Sequence, residues 1–290
     1  MVCHTIVIAR AEGARSGVRR GRLVFPAGVG DNTQVSAPYE RRLNRNLANS
    51  DEIEGMTTPQ TIPTKIPHVP AQIPPLEPGD QLTRDEFERR YDAMPLLKKA
   101  ELIEGVVHMR SPVRWKRHAS PHASIIGWLY QYSQVTPGVD VGDNGSVRLD
   151  MDNEPQPDAA MIIEPGRGGQ VQINPDDYVV GAPELVAEVA ASSVNIDLTT
   201  KLRVYRRNQV REYLVWRVLE ETLDWFVLRN SQYERLSVSA AGLYQSEVFP
   251  GLWLDAAALT RFDPAAVLQG LQKGLVQRHS YLDGSGGTGF

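Results

Sequence analysis

The chain has 290 residues and a formal net charge of −4, enough length for one large or two small globular domains with a sizeable core. The acidic balance excludes a protein that grips nucleic acid through bulk positive charge, so any such contact must use a local patch. The single cysteine, Cys3, excludes an internal disulfide and fits a reducing compartment. No apolar run approaches the length of a membrane span, and residues 5–9 are too short for a secretory signal. The expectation is a soluble cytoplasmic protein with no membrane partner.

Residues 1–80 read as a disordered extension and linker. Arg10, Arg15, Arg19, Arg20 and Arg22 stand among glycines with no sustained period, and Pro59, Pro63, Pro67, Pro70, Pro74, Pro75 and Pro78 follow. Proline at that density prevents helix and removes ladder donors. The arginine-rich start suits a transit peptide or a nucleic-acid arm. The plainer account is a start codon set too early, with translation beginning at Met56.

The globular part is expected over residues 81–262. Thr83 and Glu86 form the pattern of a capping box, and Phe87 and Tyr91 stand at i, i+4 on the helix that follows. Residues 99–109, KAELIEGVVHM, predict a strand pair turning at Glu104 and Gly105. A helix is predicted over residues 118–134, with Ile125, Ile126, Leu129 and Tyr130 as its apolar stripe. Strands are predicted over 140–149 and 157–163, then a long Gly- and Pro-containing loop to residue 183.

Residues 183–216, PELVAEVAASSVNIDLTTKLRVYRRNQVREYLVW, predict strand, loop, helix, strand, with Asp197 as the helix cap. Strands over 222–228, 233–238 and 244–248 complete the predicted sheet. Pro250 and Gly251 then turn the chain into 254–259. A weak helix over 264–275 and a disordered Gly-rich tail make up residues 263–290. This order is α/β with mixed strands, without the regular βα alternation of a barrel or a doubly wound nucleotide fold. No Walker loop, G-x-G-x-x-G or H-E-x-x-H is present, and cysteine metal ligands are absent.

Four polar residues sit in or beside apolar strands: Glu101, Asp158, Glu188 and, on the next helix, Lys201. An unpaired carboxylate in the middle of a strand costs several kcal/mol, on the order of the buried-charge penalty. Desolvation and like-charge repulsion from Asp158 also favour the neutral form, so Glu188→Gln is expected to stabilise the metal-free protein while abolishing metal binding. A lysine in a first helical turn opposes the macrodipole. Carboxylates supply hard oxygen ligands for Mg²⁺ or Mn²⁺, and a neighbouring lysine can orient water or offset developing charge. Structural ion pairs produce the same pattern.

Other polar and aromatic residues read more plainly. His118 is expected to cap or orient the helix start, with a phosphate contact as the alternative. Arg203, Arg206 and Arg207 read as a solvated face ahead of a phosphate-binding patch, Ser192 and Ser193 as loop formers ahead of a nucleophile, and Trp216, Trp225 and Trp253 as core ahead of base-stacking platforms.

ELVAEVAASS followed by DLTTKLRVYRRNQVREYLVW resembles the signature of the Uma2 family, assigned as endonucleases of the PD-(D/E)xK, restriction-endonuclease-like superfamily. ELIEG at 101–105, the His118 region, Pro157 with Asp158, and FPGLWLD at 249–255 extend the resemblance over roughly residues 82–259. The resemblance implies a central mixed sheet flanked by helices, a divalent metal at Asp158 and Glu188, and phosphodiester hydrolysis. Two departures stand out. The third position of E-x-K is Ala190, and members of this family place a lysine on the next helix instead, here Lys201. Gln209 stands where relatives tend to have glycine.

The function this implies is a Mg²⁺-dependent endonuclease acting on DNA. Asp158 and Glu188 would ligate the metal, Lys201 would assist the water, and Glu101 would be an outer ligand or orienter. A homodimer is left open. The competing readings are a non-catalytic module that keeps the fold for binding or regulation, and a mobile-element-associated accessory protein whose main contact is another protein.

Overall fold

The computed structural model of the chain describes residues 73–109 and 113–282. Most of the expected N-terminal extension, including Met56 and the five arginines, lies outside the described residues, as does the tail beyond residue 282. Leu76 is already buried against Phe87 and Leu102, so packing begins ahead of residue 82.

Helix α1 (Arg84–Asp92) buries Phe87, with the Tyr91 ring 5.5 Å away. Thr83 occupies the N-cap position but makes no side-chain cap bond. Glu86 is drawn instead to Arg89 and Arg90, which hold its carboxyl down at about 2. The expected capping box is therefore not made.

Strands β1 (Ala100–Ile103) and β2 (Val106–Met109) form a hairpin on Glu104 and Gly105, both at positive φ as a two-residue turn of the primed kind requires. Helix α2 (Ser120–Ser133) is preceded by a π turn at Trp115–Ala119. It buries Ile125, Trp128, Leu129 and Tyr132.

The stretch expected as one strand over 140–149 divides into β3 (Val139–Asp143) and β4 (Val147–Arg148). Strand β5 (Ala159–Ile163) follows. The presumed long loop carries β6 (Gln172–Ile173) and β7 (Val179–Val180), which join β4 in a small sheet of their own.

The central sheet adds β8 (Leu185–Ala190), β9 (Glu212–Arg217), β10 (Thr222–Arg229) and β11 (Gln232–Arg235). Its order is β11-β10-β9-β8-β5-β3. Strands β8 and β9 are parallel and the other neighbours antiparallel, so the sheet is mixed, with helices on both faces. Strand β8 is buried along its whole length, which explains its unbroken apolar run around one charged residue.

Strand β12 (Tyr244–Gln245) was expected in this sheet. It pairs instead with β13 (Trp253–Leu254) in a separate two-stranded ribbon. Helix α5 (Ala256–Thr260) is capped by Asp255, whose carboxylate accepts from the Ala258 N–H. The last helix, expected to be weak and to end by 275, runs over Pro264–Leu282. It anchors in the main core through Val267 and Leu271.

That core lies between one face of the sheet and α2, α5 and the last helix. On the opposite face Val186, Ala190, Tyr213 and Val215 pack under the helical residues 194–207. These comprise a short turn α3 (Val194–Ile196), a π turn at Asp197–Lys201 and α4 (Leu202–Arg207).

Candidate active site

The helical segment after β8 begins four residues earlier than expected. Its N-cap position is Ser193, and Asp197 is a buried residue of the π turn rather than a cap. Lys201 therefore stands in the second turn, where the macrodipole is weak. The loop from β8 is also only three residues long (191–193), which holds the helix close over the strand.

Lys201 is placed by the packing of this helix on the Val186, Ala190 and Tyr213 face. Its side chain is 1% exposed, and Nζ lies 2.7 Å from Glu188 Oε1 and 2.7 Å from Glu101 Oε1. One turn on, the Tyr205 hydroxyl donates to the same Glu188 oxygen at 3.0 Å. Burial, then the adjacent Glu188 charge, hold that hydroxyl protonated well above the ordinary tyrosine range. Glu101, on β1, also accepts from the Gln156 N–H at 2.9 Å. The hairpin of β1 and β2 thus supplies the second carboxylate from outside the central sheet. Glu104 is the left-handed turn residue and pairs at the surface with Arg203, 2.8 Å away.

Glu188 is thus a paired carboxylate. The expectation that a neutral isostere would stabilise the metal-free protein counted desolvation and repulsion from Asp158 without these partners, and the bonds from Lys201 and Tyr205 reverse it.

Asp158 precedes β5. The β5–β8 register pairs Ala159 with Ala187, and continuing it places Asp158 opposite Glu188. With Pro157 before it, the strand stops there, and the side chain takes over the ladder: Asp158 Oδ2 accepts from the Val189 N–H at 2.8 Å. Its other oxygen meets Lys99 Nζ at 3.2 Å and His118 Nε2 at 3.4 Å. Lys99 is held in turn by the Asn144 side-chain oxygen at 2.6 Å. His118 Nδ1 lies 3.0 Å from the Val189 carbonyl. One turn further on, in α2, His122 Nε2 is 2.7 Å from the Asp158 carbonyl and 3.1 Å from Asp143 Oδ1.

The structure thus joins Glu101, Glu188 and Lys201 directly. Asp158 sits beside them by strand register, with its own cation partners. Lys99, His122, Asn144 and Tyr205 were missed in the sequence. The only available signals were the helical i, i+4 spacing of His118 with His122 and of Lys201 with Tyr205; Lys99 and Asn144 meet across 45 residues and left none. His118 orients Asp158 and the Val189 carbonyl rather than merely starting a helix.

Arg203 and Arg207 are surface residues paired with Glu104 and Asp150, as expected for a solvated face. Trp216 and Trp225 are core, while Trp253 is half-buried. At the end of α4 the left-handed residue is Gln209, with φ 68°, while Asn208 stays at φ −85°. The backbone at this position is one that favours glycine.

Among the described residues no helix is long and apolar enough to cross a membrane. The Uma2 family model, described as "Putative restriction endonuclease", matches residues 84–257, more than half of the chain. Among solved structures the chain is similar to a crystal structure described as "a putative nuclease belonging to DUF820" from Anabaena variabilis ATCC 29413. The two are 14% identical with a TM-score of 0.44, over 62% of this chain and 99% of that one. No curated protein matches.

Proposed function

Because this chain belongs to the Uma2 family of restriction-endonuclease-like proteins, we propose that it hydrolyses phosphodiester bonds of DNA with Mg²⁺ or Mn²⁺ held by Asp158 and Glu188. The observation that carries the reading is two fully buried carboxylates, Glu188 on β8 and Asp158 just ahead of the neighbouring β5, each with a lysine ammonium within hydrogen-bonding distance.

The donor set suits a hard divalent cation, which takes carboxylate oxygens. Among the described residues no three His, Cys, Asp or Glu side chains form a group able to enclose a metal. Two carboxylates with water and substrate oxygens completing the shell is the usual arrangement for Mg²⁺. Such an ion polarises the scissile phosphate and lowers the pKa of bound water.

The chain's own groups have separate tasks in this reading. Lys201 fixes Glu188 and places a positive charge where negative charge develops. Glu101 orients Lys201 from the other side. His118 and the Val189 N–H hold Asp158 in place.

A second reading, a binding or regulatory module without catalysis, is favoured by one observation. Lys201 is almost inaccessible and already bonded to both Glu101 and Glu188, an arrangement that is self-sufficient without metal.

Melting with and without millimolar Mn²⁺, alongside cleavage of single-stranded, duplex and branched DNA and RNA, separates the two. A nuclease should gain stability from the ion, about 2.7 kcal/mol at a concentration 100 times Kd. It should also show ion-dependent cleavage that Asp158→Asn abolishes. An unchanged melting temperature with no cleavage would establish the module.

A further inference from the structure

Residues 113–117, reading V-R-W-K-R, lead into and form most of the π turn that ends in His118 and Ala119. All five are exposed, Trp115 at 73%. Trp128, Trp216 and Trp225 are buried and Trp253 half-buried, so Trp115 alone forgoes the large burial term an indole offers. Arg114, Lys116 and Arg117 have no hydrogen bond or ion pair through their side chains among the described residues. By contrast Arg203, Arg207, Arg217, Arg229 and Arg235 are each paired with a carboxylate. Three uncommitted cations around one exposed ring make the kind of local patch that a chain of net charge −4 needs to meet a polyanion.

The patch also stands in the right place. One turn after Trp115, His118 contacts the Asp158 carboxylate and the Val189 carbonyl. We propose that this segment is a clamp for single-stranded nucleic acid: Trp115 stacks on an unpaired base, and Arg114, Lys116 and Arg117 take the phosphates flanking it. The proposal rests on the nuclease reading for what the neighbouring carboxylates do to the strand, but binding itself does not.

An indole stacks on the open face of a base, and in a duplex those faces are covered by neighbouring pairs. Among the described residues of this segment the exposed apolar groups are Trp115 and Val113, short of the long amphipathic element or second anchor that a lipid surface demands.

The test is oligonucleotide binding by the full chain in EDTA, followed by anisotropy of a labelled strand. Single-stranded DNA, single-stranded RNA, the matching duplex and anionic vesicles are compared. Single strands should bind more tightly than duplex. Trp115→Ala should weaken single-strand binding at least about tenfold, the scale of removing one stacking platform, while Trp115→Phe keeps most of it.

Replacing Arg114, Lys116 and Arg117 together by Ala should flatten the slope of log affinity against log salt by about 2, at roughly 0.7 for each phosphate neutralised on a single strand. The melting temperature of every variant should stay at the parent value, because the side chains are exposed. Equal binding by Trp115→Ala, preference for duplex, binding to vesicles alone, or a lowered melting temperature for Trp115→Ala would overturn the clamp. Since no metal is present, strand binding without cleavage in a later metal assay would refute the nuclease reading and leave the clamp standing. Cleavage that is indifferent to Trp115 would do the reverse.

Discussion

Lys201→Met isolates the triad beneath the proposed site. The substitution keeps the length and apolar stem of the side chain and removes only the ammonium. Both partners lose their cation at once, and both are buried: side-chain exposure is 1% for Lys201, 2% for Glu101 and 0% for Glu188. Breaking a buried pair from one side costs about 3–5 kcal/mol, because the remaining charge cannot return to water. A domain of this size has a total stability of about 5–15 kcal/mol, so the loss is a large share of the whole. At about 2–4 °C per kcal/mol the melting temperature should fall by roughly 6–20 °C.

Arg203→Met is the control. That pair is nearly as short, 2.8 Å to Glu104, but is 56% and 32% exposed, and its loss should stay within about 1 kcal/mol. The assay is urea denaturation at neutral pH followed by circular dichroism. Combining Lys201→Met with Glu101→Gln and Glu188→Gln should recover most of the loss, since a triad without charge carries no uncompensated ion. Glu188→Gln alone should be destabilising, because it withdraws a charge from Lys201. A Lys201→Met protein within about 1 kcal/mol of the parent would refute the argument and mean that the carboxylates remain solvated.

Two further predictions concern other parts of the molecule. Gln209→Gly should stabilise the chain by about 1 kcal/mol in the same denaturation, since Gln209 is held at positive φ where a side chain is penalised; a destabilised variant would show that the Gln209 side chain matters more than its backbone. Glu154 is raised to about 8, first by burial and then by the neighbouring Glu88 carboxylate, and Glu212 to about 7, chiefly by burial. Each folded carboxyl then holds its proton at a pH where the unfolded one has lost it, so stability is fully present below about 4.5 and falls as pH rises towards 8. Glu154→Gln should flatten that slope between pH 5 and 8 and raise stability at pH 8; an unchanged slope would exclude Glu154 as its source.

The sequence by itself determined what depends on neighbours along the chain. The alternation and apolar runs of β1, β2, β8, β9 and β10 were legible because side-chain periodicity is a local property of strands. Glu188 stood out because it broke its local pattern, Lys201 only because the helix start was read too late, and the ordered motifs around them pointed to the family. The signals that failed were those in which local propensity met tertiary competition. Thr83 has the residues of a capping box, but Arg89 and Arg90 claim Glu86. Residues 244–245 have the residues of a sheet strand but turn away to pair with β13. The helix start was read at Asp197, yet packing on Val186 and Ala190 extends it back to Val194.

The site needed the tertiary structure most. Lys201 meets Glu101 across 100 residues, and Lys99 meets Asp158 across 59. No periodicity connects residues so far apart. Only the docking of the β1–β2 hairpin and of the helical segment 194–207 against the sheet brings them within bonding distance. Burial there decides the rest: the same ammonium and carboxylate that would contribute little at the surface become, out of water, groups that cannot be separated cheaply.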